Sequence, residues 1–244
     1  MLTIGHRGAR GYVAENTLES IQKALDLHVD GVEIDVYQCG SGEIVVFHDK
    51  RLNRLTGNRG FIEKTNFDEL NTMLVKGKYK IPTLEQVLEL IAGSVVLNIE
   101  LKGEHTAIPT AAILKKYLQN SQSDIKKLIV SSKNWKELTL FKNQNTDIPI
   151  GVLSHSYLFL EKGLNDIIKK GKELNAVAIH PKFSILNKKA IDRMHSSGFL
   201  VYSWTINKPK DIKRAIQLGV DGIITDFPDF VTCSQLNEKK EPHI

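Results

Sequence analysis

The chain has 244 residues, of which 41% are hydrophobic and 25% are charged, and its formal net charge is +5. This length suits one large α/β domain or two small ones, and the ordinary composition excludes a disordered or fibrous protein. The basic residues are spread along predicted helices and accompany no nucleic-acid-reading motif. We therefore expect an attraction for anionic small molecules and no nucleic-acid partner.

The cellular location is predicted from three features of the sequence, which are its few cysteines, its lack of a signal-peptide pattern and its lack of a long apolar run. Two cysteines, Cys39 and Cys233, are too few for a disulfide scaffold and are typical of a reducing compartment. The first six residues enter a strand pattern directly, without the basic and long apolar segments of a signal peptide. No apolar run approaches the roughly 20 residues of a membrane span. We expect a cytoplasmic protein without a transmembrane segment, and no pattern fixes its oligomeric state.

Short runs rich in Val and Ile alternate with amphipathic stretches along the whole chain, as expected for parallel strands buried on both faces. The predicted strands are residues 2–6, 31–36, 94–101, 127–131, 148–153, 176–180, 200–205 and 222–225. Helical patterns between them include residues 17–27, 83–91, 108–118, 136–143, 188–196 and 208–218. Eight strands, each but the last followed by a helix, predict a (β/α)8 TIM barrel.

One segment breaks this alternation. Residues 43–47 form a further strand-like run, and residues 48–81 contain no barrel strand. We predict a small insertion of about 30 residues after the second strand, and long excursions of this kind are often functional. Residues 1–236 are then expected to form a single barrel domain, and residues 237–244 a polar tail.

Three acidic residues are predicted at the carboxyl ends of strands, where such barrels carry their active sites. Glu33 and Asp35 are two residues apart in one strand and therefore point to the same face, and Glu100 lies on the next barrel strand. Converging carboxylates repel one another unless a cation lies between them, and oxygen ligands suit Mg2+, Ca2+ or Mn2+ better than zinc. The alternative is a metal-free salt-bridge network with Arg7 and Lys102.

His6 ends the first strand and His48 begins the insertion, which makes them the candidate acid–base pair because histidine titrates nearest neutral pH. Arg7 and Lys102 supply the positive charge that a phosphate group requires. Trp204 either packs against a small polyol or serves as a rim or core aromatic residue.

The other histidines receive no catalytic role at this point. His180 lies near a strand end, so its role stays open. The histidines predicted to lie in helices, loops or the tail are His28, His105, His155, His195 and His243.

At this point the chain resembles the glycerophosphodiester phosphodiesterase family over almost its whole length. The matching segments, in order, are His6-Arg7-Gly8-Ala9, Glu15-Asn16-Thr17, Glu33-Ile34-Asp35-Val36, Val46-Phe47-His48-Asp49, Asn98-Ile99-Glu100-Leu101-Lys102, Trp204-Thr205-Ile206-Asn207 and Gly222-Ile223-Ile224-Thr225-Asp226-Phe227-Pro228. No single segment is decisive, but the set in this order is highly specific.

The resemblance implies a (β/α)8 barrel with a small insertion after the second strand. It implies one divalent cation, Mg2+ or Ca2+ with Mn2+ as an alternative, held by the residues that match its ligands, Glu33, Asp35 and Glu100. It also implies that His6 accepts a proton and that His48 donates one to the leaving alcohol. Arg7 and Lys102 match positions that hold the phosphate. The expected reaction is the metal-dependent hydrolysis of a glycerophosphodiester to glycerol 3-phosphate and an alcohol.

The chain departs from the family pattern just after His48. The family often reads Leu-Asp-Arg-Thr-Thr there, whereas this chain reads Leu52-Asn53-Arg54-Leu55-Thr56. The lost acidic group leaves the predicted metal ligands untouched but bears on contacts of the insertion and on the preferred leaving group.

Three other functions compete with this interpretation. The first is a lysophospholipase D or a phospholipase-type lyase on the same barrel, which would need an apolar rim. The insertion offers side chains that either form such a rim or simply pack, namely Leu52, Leu55, Phe61, Ile62 and Phe67. The second is a non-catalytic barrel that binds a phosphorylated ligand. The third, a phosphosugar isomerase or aldolase, is disfavoured because no Gly-rich loop follows the last two strands.

Overall fold

The computed structural model describes residues 1–121, 123–144, 147–154 and 161–238. It contains nine strands, numbered in chain order: β1 Leu2–His6, β2 Gly31–Gln38, β3 Ile44–Val46, β4 Val96–Leu101, β5 Leu128–Ser132, β6 Ile150–Leu153, β7 Ala178–His180, β8 Leu200–Ser203 and β9 Gly222–Thr225. The helices are α1 Leu18–Asp26, α2 Asn53–Thr56, α3 Phe67–Leu70, α4 Leu84–Ile91, α5 Ala107–Asn120, α6 Trp135–Gln144, α7 Glu161–Glu173, α8 Lys188–Ser196, α9 Pro209–Leu218 and α10 Pro228–Glu238.

Eight parallel strands close into a barrel, which confirms the predicted fold. The strand order is β1-β9-β8-β7-β6-β5-β4-β2, and β1 pairs with β2 to complete the ring. The closing register sets His6 beside Glu33, and the register of β2 with β4 sets Asp35 beside Glu100. The four residues are therefore brought together by strand pairing.

The strands carry different residues on their two faces. Val32 and Ile34 of β2 belong to the apolar layer between the strands and the surrounding helices. Glu33 and Asp35 alternate with them and therefore face the barrel interior. Below the polar residues, the interior is filled by a small apolar cluster that includes Ile4, Ile129, Ala178, Tyr202 and Ile224.

Helix starts follow the capping signals of the sequence. Thr83 and Gln86 form a reciprocal capping box at the start of α4. The side chain of Asn187 accepts a hydrogen bond from the backbone N–H of Ala190 at 2.9 Å. The side-chain oxygen of Thr17 likewise accepts a hydrogen bond from the backbone N–H of Ser20 at 3.1 Å. This bond fixes the start of α1 beside the end of β1.

The prediction that no helix follows the last strand was wrong. Helix α10 begins at Pro228, a residue suited to a first helical turn because its missing N–H would have no partner there. Its polar and apolar residues lack a clear helical periodicity, which is why the sequence pattern did not reveal it. Phe227 anchors its start, with its ring centroid 5.2 Å from that of Phe230 and 5.5 Å from that of Tyr12.

The insertion after β2 is a compact unit beside the barrel mouth. Strand β3 pairs antiparallel with the extension of β2, as Val46 lies opposite Val36. The segment that follows contains α2, a 3-10 turn at Ile62–Lys64 and α3. Leu52, Leu55 and Ile62 are buried in a hydrophobic cluster of the insertion itself. The side chains proposed for an apolar rim are therefore largely used in packing.

Two further expectations concern the chain as a whole. Cys39 is buried and Cys233 is exposed, and both are free thiols. Within the described ranges, no helix combines the length and the apolar character needed to cross a lipid bilayer.

Candidate active site

Three acidic side chains meet at the carboxyl ends of β2 and β4. One ligand oxygen from each of Glu33, Asp35 and Glu100 lies within 4.8 Å of the other two, and all three residues are buried. This is the convergence that the sequence predicted. Three oxygen donors at this spacing match the ligand chemistry of a hard divalent cation.

Two basic side chains border this cluster. The Lys102 ammonium lies 3.0 Å from a Glu100 oxygen and 3.5 Å from an Asp35 oxygen. The Nε atom of Arg7 lies 3.1 Å from the other Asp35 oxygen, and Asn16 donates a hydrogen bond to that same oxygen at 2.9 Å. Part of the salt-bridge network that the sequence offered as an alternative to a metal is therefore present.

Among the residues that the structure describes, no lysine or arginine side chain forms an ion pair with Glu33. Its carboxylate accepts a hydrogen bond from the Arg7 backbone N–H at 3.1 Å, and the nearest ring nitrogen of His6 is 4.0 Å away. Burial, followed by repulsion from Asp35 and Glu100, raises the pKa of Glu33 well above its usual range. Like charges this close need a neutralising partner. The residues present therefore fit a divalent cation bound by all three carboxylates.

Asp35 shows the opposite electrostatic balance. Burial acts to raise its pKa, but the positive charges of Arg7 and Lys102 outweigh burial and lower it. Asp35 is therefore an ionised carboxylate at neutral pH, already surrounded by cationic and amide donors.

His6 is held in one orientation by a carboxylate distant in sequence. Its Nδ1 atom lies 2.6 Å from an oxygen of Asp226, which follows β9. Asn207 donates a hydrogen bond at 2.8 Å to the other Asp226 oxygen. Because an ionised carboxylate can only accept, Nδ1 carries the proton, and Nε2 presents its lone pair on the side of Glu33. Burial, opposed by the Asp226 hydrogen bond, lowers the pKa of His6.

The His48 ring is also oriented by a carboxylate, that of Asp49, the next residue in the chain. Its Nδ1 atom lies 2.6 Å from an oxygen of Asp49, and Arg54 pairs with that carboxylate in turn. The Arg54 hydrogen bond is the main reason that the pKa of Asp49 falls to about 2. The His48 ring is partly buried, and this burial lowers its pKa. Both candidate acid–base histidines are thus oriented through Nδ1, which leaves Nε2 of each ring for proton transfer.

Glu15 connects the barrel mouth to the insertion. Its carboxylate accepts a hydrogen bond at 2.6 Å from Arg7 and another at 2.6 Å from Arg54, and it pairs with Arg10 at 3.3 Å. Burial would raise the pKa of Glu15, but these guanidinium groups lower it to about 2. Arg54 belongs to the segment where the chain departs from the family pattern. Arg54 keeps its contacts with Glu15 and Asp49 although the neighbouring position 53 holds asparagine in place of the acidic residue.

The turn after β1 positions His6 and Arg7. Arg7 adopts a left-handed backbone conformation with φ of 53°, and Gly8 follows with φ of 84°. A Cβ atom on Gly8 would lie 2.5 Å from the Ser20 backbone, so only glycine lets the turn pack directly on α1. Ser20 also donates a hydrogen bond to the Arg7 carbonyl at 3.0 Å. This close packing explains the glycine of the His6-Arg7-Gly8 segment.

A small cavity of about 140 Å3 opens between the carboxylates and the opposite strands. On that opposite side it is lined by Lys133, Leu153, His180 and Trp204. The Trp204 indole N–H donates a hydrogen bond to the His180 carbonyl at 2.9 Å, and the Lys133 ammonium lies 4.3 Å from the centroid of the indole ring. Trp204 is therefore a wall of the cavity, as the polyol-packing interpretation requires.

The structure brings together every residue to which the sequence gave a role, namely His6, Arg7, Glu33, Asp35, His48, Glu100, Lys102 and Trp204. The two histidines, Arg7, Glu33, Glu100, Lys102 and Trp204 line one cavity, and Asp35 adjoins it through Lys102.

The histidines discounted by the sequence lie elsewhere. His28 and His105 are exposed, and His195 pairs with Asp221 on the outer surface at 2.7 Å. His155 and His243 lie outside the described residues.

Sequence reasoning gave no role to several residues of the site. Asp226, Asp49 and Glu15 were visible only as parts of matching segments, and their partners could not be inferred without the fold. Lys133 was not singled out, because a lysine after a strand is usually an exposed residue. His180 was left open and proves to line the cavity.

Comparison with known proteins gives a consistent result. Over residues 6–230 the chain matches the glycerophosphoryl diester phosphodiesterase family. It is 32% identical over 235 residues to a glycerophosphodiester phosphodiesterase of Bacillus altitudinis, covering 92% of this chain and 94% of that protein. It is 27% identical over 266 residues to a human lysophospholipase D, covering 92% of this chain and 83% of that protein.

The fold is likewise similar to solved structures. A phosphodiesterase of Oleispira antarctica, in complex with the product sn-glycerol-3-phosphate, superposes with a TM-score of 0.86 at 27% identity, covering 96% of each chain. Sequence and fold thus agree over nearly the whole chain, and the protein belongs to the glycerophosphoryl diester phosphodiesterase family.

Proposed function

We propose that the protein hydrolyses glycerophosphodiesters to glycerol 3-phosphate and an alcohol, with one divalent cation at Glu33, Asp35 and Glu100. One observation carries the proposal. Two imidazoles, each oriented through Nδ1 by a carboxylate, flank three buried carboxylates whose ligand atoms lie within 4.8 Å of one another. This arrangement offers a proton acceptor, a proton donor and a cation site around one small cavity.

The cation is Mg2+ or Ca2+, with Mn2+ as an alternative, because the available ligands are all carboxylate oxygens. Bound there, it would offset the negative charge of the phosphodiester and stabilise the charge that grows on its oxygens. Glu33 has the strongest need for such a partner, since its pKa is raised by burial and by its two acidic neighbours.

Arg7 and Lys102 are the phosphate-binding groups. Both cationic groups line the cavity beside the carboxylates and are largely buried, so their charges are weakly screened by water. They would orient the diester with its scissile bond between His6 and His48.

The two histidines divide the proton transfers. His6 takes the proton of the attacking hydroxyl at Nε2, because Asp226 keeps its Nδ1 protonated. The bond between phosphorus and the departing oxygen then breaks, and His48, which enters the step as the imidazolium with Nδ1–H held by Asp49, gives its Nε2 proton to that alcohol. The attacking hydroxyl belongs to water or to C2 of the glycerol unit. In the second case water opens a cyclic phosphate afterwards.

Support for this substrate class comes from relatives. A glycerophosphodiester phosphodiesterase shares 32% of its residues with the chain, and a similar structure holds sn-glycerol-3-phosphate as its product. The lysophospholipase D alternative needs an apolar surface for an acyl chain. The insertion residues offered for it, including Leu52, Leu55 and Ile62, are instead buried in packing.

The proposal is tested with a panel of purified glycerophosphodiesters and lysophosphatidylcholine, assayed for release of glycerol 3-phosphate and free alcohol. We expect turnover of glycerophosphocholine and glycerophosphoethanolamine and little turnover of the lysolipid. A preference for lysophosphatidylcholine would favour the alternative function.

The histidine roles are tested by changing the leaving group. p-Nitrophenol leaves without a proton, so His48→Ala should recover much of its deficit on a p-nitrophenyl diester, while His6→Ala stays impaired. Both variants must retain bound metal, since a lost cation would depress turnover of every substrate. If only His6→Ala recovers turnover on the p-nitrophenyl diester, the two roles are reversed. If both variants recover equally, His48 has no separate role as proton donor.

A further inference from the structure

Two polar side chains of the cavity take no part in the proposed chemistry. His180 ends β7 and is 1% exposed, while Asn98 lies in β4 and is 2% exposed. Both line the same cavity as His6, Glu33 and Glu100. They therefore belong to the floor and far wall of the space that the substrate enters.

Neither side chain has its hydrogen-bonding capacity satisfied by the part of the chain that the structure describes. Both ring nitrogens of His180 are buried without a partner, and so is the Oδ1 atom of Asn98. A buried polar group without a partner costs free energy, so such groups are usually satisfied by protein, water or ligand. Two of them on one cavity indicate a polar ligand.

The character of His180 identifies the kind of ligand. Burial lowers the pKa of His180 to about 3, so the ring is neutral at physiological pH. A neutral imidazole carries an N–H donor on one nitrogen and a lone pair on the other, and either nitrogen suits a hydroxyl group, since a hydroxyl can donate or accept. A phosphate oxygen is better matched by the charged groups of Arg7 and Lys102, which line the cavity beside the carboxylates.

The fold holds the His180 ring in a fixed place. A Cβ atom on Gly151 would lie 2.4 Å from Nε2, so glycine on the neighbouring strand makes room for the imidazole. The Tyr202 ring supports it from the next strand, with the two centroids 5.3 Å apart. The His180 carbonyl accepts the Trp204 indole N–H, which fixes the adjoining wall. Because the His180 ring is already held in place, a ligand can bind to it without the free-energy cost of ordering this side chain.

We propose that His180, assisted by Asn98, binds a free hydroxyl of the glycerol unit and so selects glycerol phosphates over phosphates of simple alkyl alcohols. This inference rests on the proposed function and names the end of the substrate that enters the cavity. The cavity, at about 140 Å3, is far smaller than the roughly 300–1,000 Å3 of pockets for drug-sized ligands, in keeping with a three-carbon polyol.

Binding of two ligands, measured by calorimetry with Mg2+ present, tests the inference without turnover. The first ligand is sn-glycerol 3-phosphate, and the second is propyl phosphate, which lacks both hydroxyls. The wild-type protein should prefer the first by about tenfold or more, because a site built to bind a hydroxyl rejects an analogue without it. His180→Leu should abolish this preference by weakening only the first ligand.

Three further variants sharpen the test. His180→Asn keeps an amide near the position of Nδ1 and should restore part of the preference, whereas Asn98→Ala should reduce it. His195→Leu removes a surface histidine and should change neither dissociation constant. If His180→Leu does not fold, the comparison of Asn98→Ala with the wild type gives the same answer.

The outcomes separate this inference from the proposed function. If His180→Leu and Asn98→Ala weaken both ligands equally or neither, the unpaired groups bind only water and the inference is wrong. A wild-type protein that prefers glycerol 3-phosphate but hydrolyses no glycerophosphodiester would refute the proposed function and leave the hydroxyl site standing.

Discussion

The two halves of the barrel mouth differ in chemical character. The ends of β9, β1, β2 and β4, called here the charged half, carry Asp226, His6, Glu33, Asp35 and Glu100. The ends of β5 to β8, called the neutral half, carry Ser132, Leu153, His180 and Trp204, with Lys133 as the charged exception. Both halves face the same cavity.

Under the proposed function, the two halves would divide two tasks. Chemistry at a phosphodiester requires dense charge, and dense charge requires an extended set of partners, such as the three arginines around Glu15. Recognition of a small polyol requires shape and neutral hydrogen-bonding groups, which need few partners of their own. Changes in the charged half should therefore affect turnover, whereas changes in the neutral half should affect selectivity and binding.

The largest effect is expected from removing the cation. Activity should fall to background after dialysis against excess EDTA and return with Mg2+, Ca2+ or Mn2+, while zinc should restore less of it because zinc prefers nitrogen and sulfur ligands. The measurement is release of glycerol 3-phosphate before and after each metal is added. Full activity in EDTA would show that Arg7 and Lys102 alone neutralise the cluster.

The second effect concerns the acid–base pair. His6→Ala and His48→Ala should each lower kcat by roughly 100-fold or more, the usual cost of losing a general acid or base. His28→Ala, at an exposed position, is the matched control and should be near neutral. Steady-state kinetics on glycerophosphocholine provide the measurement. Similar losses in all three variants would show that the charged half does not contain the proton-transfer groups.

A smaller effect is expected from Asp226→Asn, which removes the carboxylate that orients His6. Turnover should fall by about tenfold, because the imidazole loses its preferred tautomer. Asp226 also raises the pKa of His6 against the lowering by burial. Its loss should lower the pKa of His6 further and move the acidic limb of the kcat/KM profile to lower pH.

The control for Asp226 is Asp221→Asn, which breaks the surface pair with His195. That variant should leave the pH profile unchanged even if it lowers the melting temperature. A shift toward higher pH in Asp226→Asn would contradict the assigned hydrogen bond.

The charged half could largely be predicted from the sequence, because charged residues are rare inside buried strands. Glu33, Asp35 and Glu100 interrupt runs of Val, Ile and Leu, and buried carboxylates need a cation or basic side chains as partners. The strands themselves were equally visible, since parallel strands covered by helices appear as continuous apolar runs.

The partners of these groups could not be predicted. His6 and Asp226 are 220 residues apart, and only closure of β1 against β9 brings them within 2.6 Å. The neutral half was also largely hidden. A single histidine such as His180 at a strand end has many structural explanations, and only its unpaired nitrogens and the glycine opposite distinguish it.

The smallest expected effect concerns Lys133, the charged exception in the neutral half. Its ammonium lies over the Trp204 ring, and within the described ranges it forms no ion pair, so its charge should act on the anionic substrate at a distance. Lys133→Met should raise KM about threefold at low ionic strength with kcat unchanged, and the difference should shrink near 1 M salt, where the Debye length is about 3 Å. Lys133→Arg keeps the charge and should behave like the wild type, and Lys136→Met is the exposed control. A salt-independent loss of kcat would instead make Lys133 a direct phosphate ligand, and the boundary between the two halves would then lie beyond β5.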